Sequence, residues 1–211
     1  MKKLVLIIAG LLSFAACTAS ATPLVGNGIP PIPNSTRVDF EGASNASFSS
    51  QTIGNITFAG IAGNLRISAD FGGYYNMTGV HLDNAAGDTG GIRFDFSAPV
   101  SAFAFHFGAS DWEWTLSVFN TGGDLLESLN IAPVYDANNG EFFGIARDGI
   151  AYATLTSSAS DDYILLDNFY TLQAQADVPE PASLALLGIA AIGAVARRRR
   201  QGKAGAWQTH R

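Results

Sequence analysis

The sequence predicts an all-β protein, an antiparallel β-sandwich of jelly-roll kind, and three observations lead to that class. Aromatic and aliphatic residues alternate with polar ones in short runs, the period-2 pattern of strands with one buried face. Gly, Asn, Asp and Ser separate these runs at regular spacing, as the turns of a sandwich require. No amphipathic helix of useful length appears between the chain's two ends, and the 23 glycines suit tight turns better than helices.

The chain opens on an export address. Lys2 and Lys3 precede an apolar stretch at 4–16, and Ala19, Ser20 and Ala21 form a small-residue cleavage site. That order predicts a signal peptide over 1–21, removed by signal peptidase after Ala21. The apolar stretch is too short for a spanning helix, and the prolines and glycines that follow argue against a retained anchor. The run Phe14-Ala15-Ala16-Cys17 leaves open a lipobox with Cys17 lipidated, although such boxes prefer Leu where Phe14 stands. As the single cysteine, Cys17 makes no internal disulfide, so stability must come from a packed core.

Residues 22–35, rich in Pro and Gly, read as a linker into a sandwich domain at 36–172. Short strands are expected at 37–40, 56–59 and 65–68. The clearest strand sets Ile92, Phe94 and Phe96 on one face and Arg93, Asp95 and Ser97 on the other. Pro99 should then break the chain before Phe103, Phe105 and Phe107 line the next strand, opposite Ala102, Ala104 and His106, making a hairpin. Further strands are expected at 113–120, at 125–131 after the turn 121–124, and at 140–145, 150–156 and 163–170.

Charge divides the chain. Residues 22–178 carry four arginines and no lysine against 17 carboxylates, a net of −13, while the two ends hold a net of +7. A body so short of cations cannot neutralise phosphates, which excludes a nucleic-acid partner.

Residues 173–181 form a second linker, and 182–196 then run without a charge before Arg197, Arg198, Arg199 and Arg200. At about 1.5 Å per residue such a helix spans roughly 22 Å, short of a hydrocarbon core of roughly 30 Å. The long arginine stems can reach the interface from a short helix, so 182–196 is expected to cross the membrane and 197–211 to remain as a basic cytoplasmic tail. A buried, Ala-rich core helix is the alternative.

Val178, Pro179, Glu180 and Pro181, the apolar segment and the arginine block, in that order, resemble the PEP-CTERM sorting signal of Gram-negative bacteria that make exopolysaccharide. The resemblance implies recognition by exosortase, a membrane protease-transpeptidase, with processing near Pro-Glu-Pro. It also implies passage from the inner membrane to the cell surface or extracellular matrix. The tail runs on through 201–211, further than such tails commonly do, and includes Trp207. The runs Phe143-Gly144-Ile145, Gly149-Ile150 and Asp167-Asn168-Phe169 resemble closing strands of ectodomains that carry this signal, which implies a lectin-like sandwich.

No catalytic constellation is legible. Ser110-Asp111 lies near His106 in sequence without a nucleophile elbow, and His106 and His81 read as strand residues on a polar face. A structural calcium ion is the one cofactor suggested, with oxygen donors Asp136 and Asn138 in the turn 136–141, Asp161 and Asp162 with Asp167, or Asp83-Asn84 with Asp88. Solvated turns explain the same residues. For sugar stacking the candidates are Trp112, Tyr74 and Tyr75, whereas Trp114 shares a face with Leu116 and Val118 and is expected in the core. Four Asn-x-Ser/Thr sequons, at Asn34, Asn45, Asn55 and Asn76, fit an Asn- and Ser-rich composition without implying glycosylation in a bacterium.

Together these features lead to the expectation of a non-catalytic surface or matrix protein that binds or scaffolds exopolysaccharide. A membrane-anchored carbohydrate-active enzyme and a purely structural envelope module are the alternatives.

Overall fold

The alternating pattern becomes twelve strands in the computed structural model, which describes residues 20–85, 90–136, 138–159 and 161–174. Ala19, Cys17, Asp88, the sorting motif Val178 to Pro181, the apolar segment 182–196 and Arg197 to Arg200 lie outside the described residues. The strands are β1 (Thr22–Asn27), β2 (Thr36–Val38), β3 (Ala46–Phe48), β4 (Ser50–Ile53), β5 (Ile56–Gly60) and β6 (Leu65–Ser68). They continue as β7 (His81–Asp83), β8 (Ile92–Gly108), β9 (Trp114–Phe119), β10 (Leu125–Ile131), β11 (Glu141–Ser157) and β12 (Leu165–Gln173). Every pairing among them is antiparallel.

Two long strands belong to both layers of the sandwich. The first half of β8 pairs with β5 and with the second half of β11, which in turn pairs with β9. With β4 and β10 at the edges, these strands form layer one. The second half of β8 pairs with β12 and with the first half of β11, which carries β1 on its other side. Layer two extends from β12 through β7 and β6 to β3, with β2 on the same edge of β12 as β7.

The expected hairpin at Pro99 is therefore not formed. Residues 92–108 make one strand of 17 residues in which Ser97, Ala98 and Pro99 are exposed at the passage between layers. Opposite them the β8–β11 register shifts between Ala146 and Ile150, and Gly149 adopts a positive φ of 81°. A proline lacks the N–H that a continuous ladder needs, and a bulge is where a strand tolerates that loss. The same bulge joins the expected strands 140–145 and 150–156 into β11.

The linker expected at 22–35 is also corrected. Its first residues form β1 along the edge of β11, and Leu24 and Ile32 pack with Ala102, Ala104 and Phe142 on the outer face of layer two. That face is apolar enough to need a cover, which Pro and Gly content alone does not disclose.

Between the layers lies an aromatic core. Phe58 and Phe94 of layer one meet Phe169 of layer two at ring-centroid distances of 4.9 and 5.2 Å. Phe105 stacks on Phe169 at 5.0 Å, and Phe40 closes one side 5.4 Å from Phe58. Asn168, with a φ of 50°, interrupts the β8–β12 register just before Phe169. Because Phe169 touches both layers and is fully buried, Phe169→Ala is expected to cost about 3–5 kcal/mol in unfolding free energy. An unfolding free energy, from denaturant titration, lowered by less than a third of that would contradict its central place.

Candidate functional site

One end of layer two is built from loops whose positions are fixed by buried polar side chains. The loop 69–80 lies against the face of β8 opposite Phe107. Thr78 donates from its backbone N and its Oγ1 to Asp167 Oδ2, at 3.0 and 2.7 Å. Asn76 Nδ2 donates to the Phe107 carbonyl at 2.8 Å, and Asn76 Oδ1 accepts from Gly140 N at 2.9 Å. Asn138 completes the link, donating to the Gly73 carbonyl and accepting from Asn76 N. Position 108 must be glycine, because a Cβ there would run into the Tyr75 carbonyl. Tyr75 and Asn76 themselves hold left-handed φ values of 53° and 67°, a strain these contacts restrain.

A second anchor sets the turn after β8. Asp162, 2% exposed, accepts from Trp114 Nε1 at 2.6 Å, Asp111 N at 2.9 Å and Trp112 N at 3.3 Å. Three donors satisfy a carboxylate that would otherwise be costly to bury. Asn84 ties the same segment down by donating to the Asp162 carbonyl at 2.7 Å and accepting from Ile164 N at 3.1 Å.

A third anchor involves the fully buried carboxylate of Asp83. Arg66 Nε pairs with it at 3.0 Å, while Arg66 Nη2 donates to Tyr163 Oη at 2.9 Å. Burial, and next the charge of Asp83, push the Tyr163 hydroxyl up to about 12 despite the nearby Arg66. Burial likewise raises Asp167, against the hydrogen bonds from Thr78 and Asn168. For Glu141 the balance is reversed: burial raises it, but hydrogen bonds led by the Asn139 side chain outweigh that and lower it.

These anchors surround a cleft of about 410 Å³. Its walls carry Phe71, Tyr75, Tyr135 and Tyr163, with the carboxylates of Asp111 and Asp136 at the same opening. Phe71 meets Tyr75 and Tyr163 edge-on at 5.8 and 5.7 Å. Ala109, with a φ of 64°, turns the chain along the cleft. Such a surface can stack a sugar ring on an aromatic face while carboxylates accept hydrogen bonds from its hydroxyls.

The residues singled out from sequence divide between cleft, surface and interior. Tyr75 and Asp136 line the cleft, whereas Tyr74 is exposed beside it. Trp112, 58% exposed, lines a separate depression of about 280 Å³ with Ser158, Ala159 and Asp161. Trp114 is buried in the core as expected. Asp162 and Asp167 are buried and committed to the hydrogen bonds above, so they do not converge with Asp161. Among the described residues no group of three or more His, Cys, Asp or Glu side chains is placed to hold a metal ion.

Neither His81 nor His106 faces solvent. His81 is fully buried, and His106, at 9% exposure, lies under the chain that leaves β1, with Nε2 3.0 Å from the Gly28 carbonyl. His106 shares the outer face of layer two with Ala102 and Ala104, and tertiary packing covers that face. Phe71, Asp111, Tyr135 and Tyr163 were missed, and only their place beside turn residues could have suggested them.

Residues 177–200 match the family model of the PEP-CTERM protein-sorting motif. The chain carries a PEP-CTERM sorting signal. No curated protein matches it in sequence. Among solved structures, a DUF4465 family protein from Bacteroides caccae is 8% identical with a TM-score of 0.37, covering 77% of this chain and 97% of its own. The Clostridium thermocellum endo-1,4-β-D-xylanase 10B, complexed with xylohexaose, gives 11% identity and a TM-score of 0.40 over 69% of this chain and 30% of its own. A mutant family 29 carbohydrate binding module gives 13% identity and a TM-score of 0.33 over 77% and 99%.

Two measurements check these anchors. Asp162→Ala leaves the Trp114 N–H and two backbone donors without their acceptor and is expected to destabilise the fold by about 2–4 kcal/mol. Trp114→Phe in the same background should then add less than its effect in the native protein, and full additivity would show that the two are not coupled. Tyr163 contributes a pH dependence of definite sign. The unfolded chain loses this proton near 10.0 and the folded chain near 12, so stability should fall as pH rises through that interval. Tyr163→Phe should flatten the fall in a pH series of thermal midpoints.

Proposed function

We propose that this is an exported, non-catalytic protein whose sandwich binds a neutral polysaccharide in the cleft formed by Phe71, Tyr75, Tyr135 and Tyr163. The observation that carries this reading is the grouping of four aromatic side chains around Asp111 and Asp136 in one open concavity. Aromatic faces complement the apolar faces of sugar rings, and carboxylates accept hydrogen bonds from their hydroxyls. Anionic glycans are disfavoured because the body carries a net charge of −13. Arg37, Arg66 and Arg93 are each ion-paired with an aspartate, which leaves these three little to offer an acid sugar.

The sorting signal supplies the setting. Signal peptidase would remove the N-terminal address, the segment 182–196 would hold the chain in the inner membrane, and exosortase would process the tail before surface or matrix delivery. The sandwich would then act outside the cell.

A carbohydrate-active enzyme is the second reading, favoured by the two carboxylates that share the cleft. Against it, Asp111 and Asp136 are both exposed to solvent, whereas a glycosidase acid works from an apolar, buried setting.

A glycan array probed with the purified full chain tests both. Neutral glycans should be retained, and Tyr135→Ala should weaken retention roughly tenfold, which corresponds to about 1.4 kcal/mol. Retention of anionic glycans alone would overturn the proposal, and release of new reducing ends from a bound glycan would replace it with the enzyme.

A further inference from the structure

We infer that the ligand is a chain of several sugar units, held along a three-part groove, and not a single residue or chain end. This rests on the carbohydrate reading of the central cleft and extends it.

Two smaller depressions are each linked to that cleft through neighbouring residues. In the first, Asn45, Ser47, Arg66 and Asp70 border a hollow of about 250 Å³ at the edge strands of layer two. Asp70 is followed directly by Phe71 of the cleft, and Arg66 donates to Tyr163 Oη of the cleft wall. Two separate links therefore make these concavities neighbours. The second is the hollow of about 280 Å³ bordered by Trp112 and Asp161. Trp112 follows Asp111 of the cleft, and Asp161 stands two residues before Tyr163. Here too the connection is double.

The chemistry repeats from part to part. Trp112 offers an exposed ring beside Asp161, the centre offers four rings beside two aspartates, and the third part offers amide, hydroxyl and ion-paired groups to the edge of a sugar. A volume of about 410 Å³ in the centre accommodates little more than one or two pyranose rings within the usual range of ligand sites. The flanking parts add contacts only for a longer chain. Each further ring then binds at raised effective concentration, because its neighbour is already held.

The length dependence of binding tests this. Affinities of neutral β-1,4-linked gluco- and manno-oligosaccharides of one to six units are measured by calorimetry on the full chain in a non-glycosidic detergent. Affinity should rise at least tenfold between two and five units. Trp112→Ala and Ser47→Tyr, both at exposed positions, should each remove most of that rise and leave the disaccharide unchanged. An affinity independent of length, or variants that weaken every length equally, would overturn the groove while leaving the central cleft as a sugar site. Absence of binding by every neutral glycan on the array would overturn the carbohydrate reading, and the groove with it.

Discussion

The structure depends on a bulge that lets β8 and β11 each serve two layers. At Pro99 and Gly149 the ladder between them gives way, and both strands turn from one layer into the other. Phe94 and Phe105 are thereby placed on the same continuous strand yet face one another, 5.6 Å apart across the interior. Phe169 packs against both of them, at 5.2 and 5.0 Å. The aromatic core and the strand passage are one arrangement, since without the bend the two halves of β8 would lie in a single plane and have nothing to enclose.

The bend also decides where the loops emerge. The C-terminal end of β8 meets the start of β12 at the Gly108–Leu165 pair, and β7 reaches the same level through Asp83. The turn after β8, the approach to β12 and the loop 69–80 thus share one end of layer two. Buried carboxylates then specify their conformations: Asp162 holds the backbone of Asp111 and Trp112, Asp167 holds Thr78, and Asp83 holds Arg66. An acidic body fixes the loops at this end by burying some of its acids as hydrogen-bond acceptors, while others, Asp111 and Asp136 among them, stay exposed.

Legibility from sequence followed the range of each interaction. The alternations at 92–96, 103–107 and 113–120 are local, and they placed Phe94, Phe105 and Trp114 inside correctly. Pro99 misled because a proline signals the absence of one N–H, whereas whether the strand ends or bulges depends on what the partner strand does. His106 misled for a related reason: alternation assigns a face, but only the packing of β1 and Ile32 determines that this face is covered. Asp161, Asp162 and Asp167 looked alike as turn acids. Their separation into one exposed and two buried groups follows from Trp114 and Thr78, which are 48 and 89 positions away from their partners.

By itself the sequence determined the class of fold, the charge division between body and ends, and the sorting signal at 177–200. Each of these is carried by residues adjacent in the chain or by composition, so no tertiary information is required to read them. Only the tertiary structure brought Phe71, Tyr75, Tyr135 and Tyr163 to one cleft. Three loops separated by long stretches of strand contribute them, and their convergence is set by strand register and by the bulge at Pro99, neither of which any local pattern encodes.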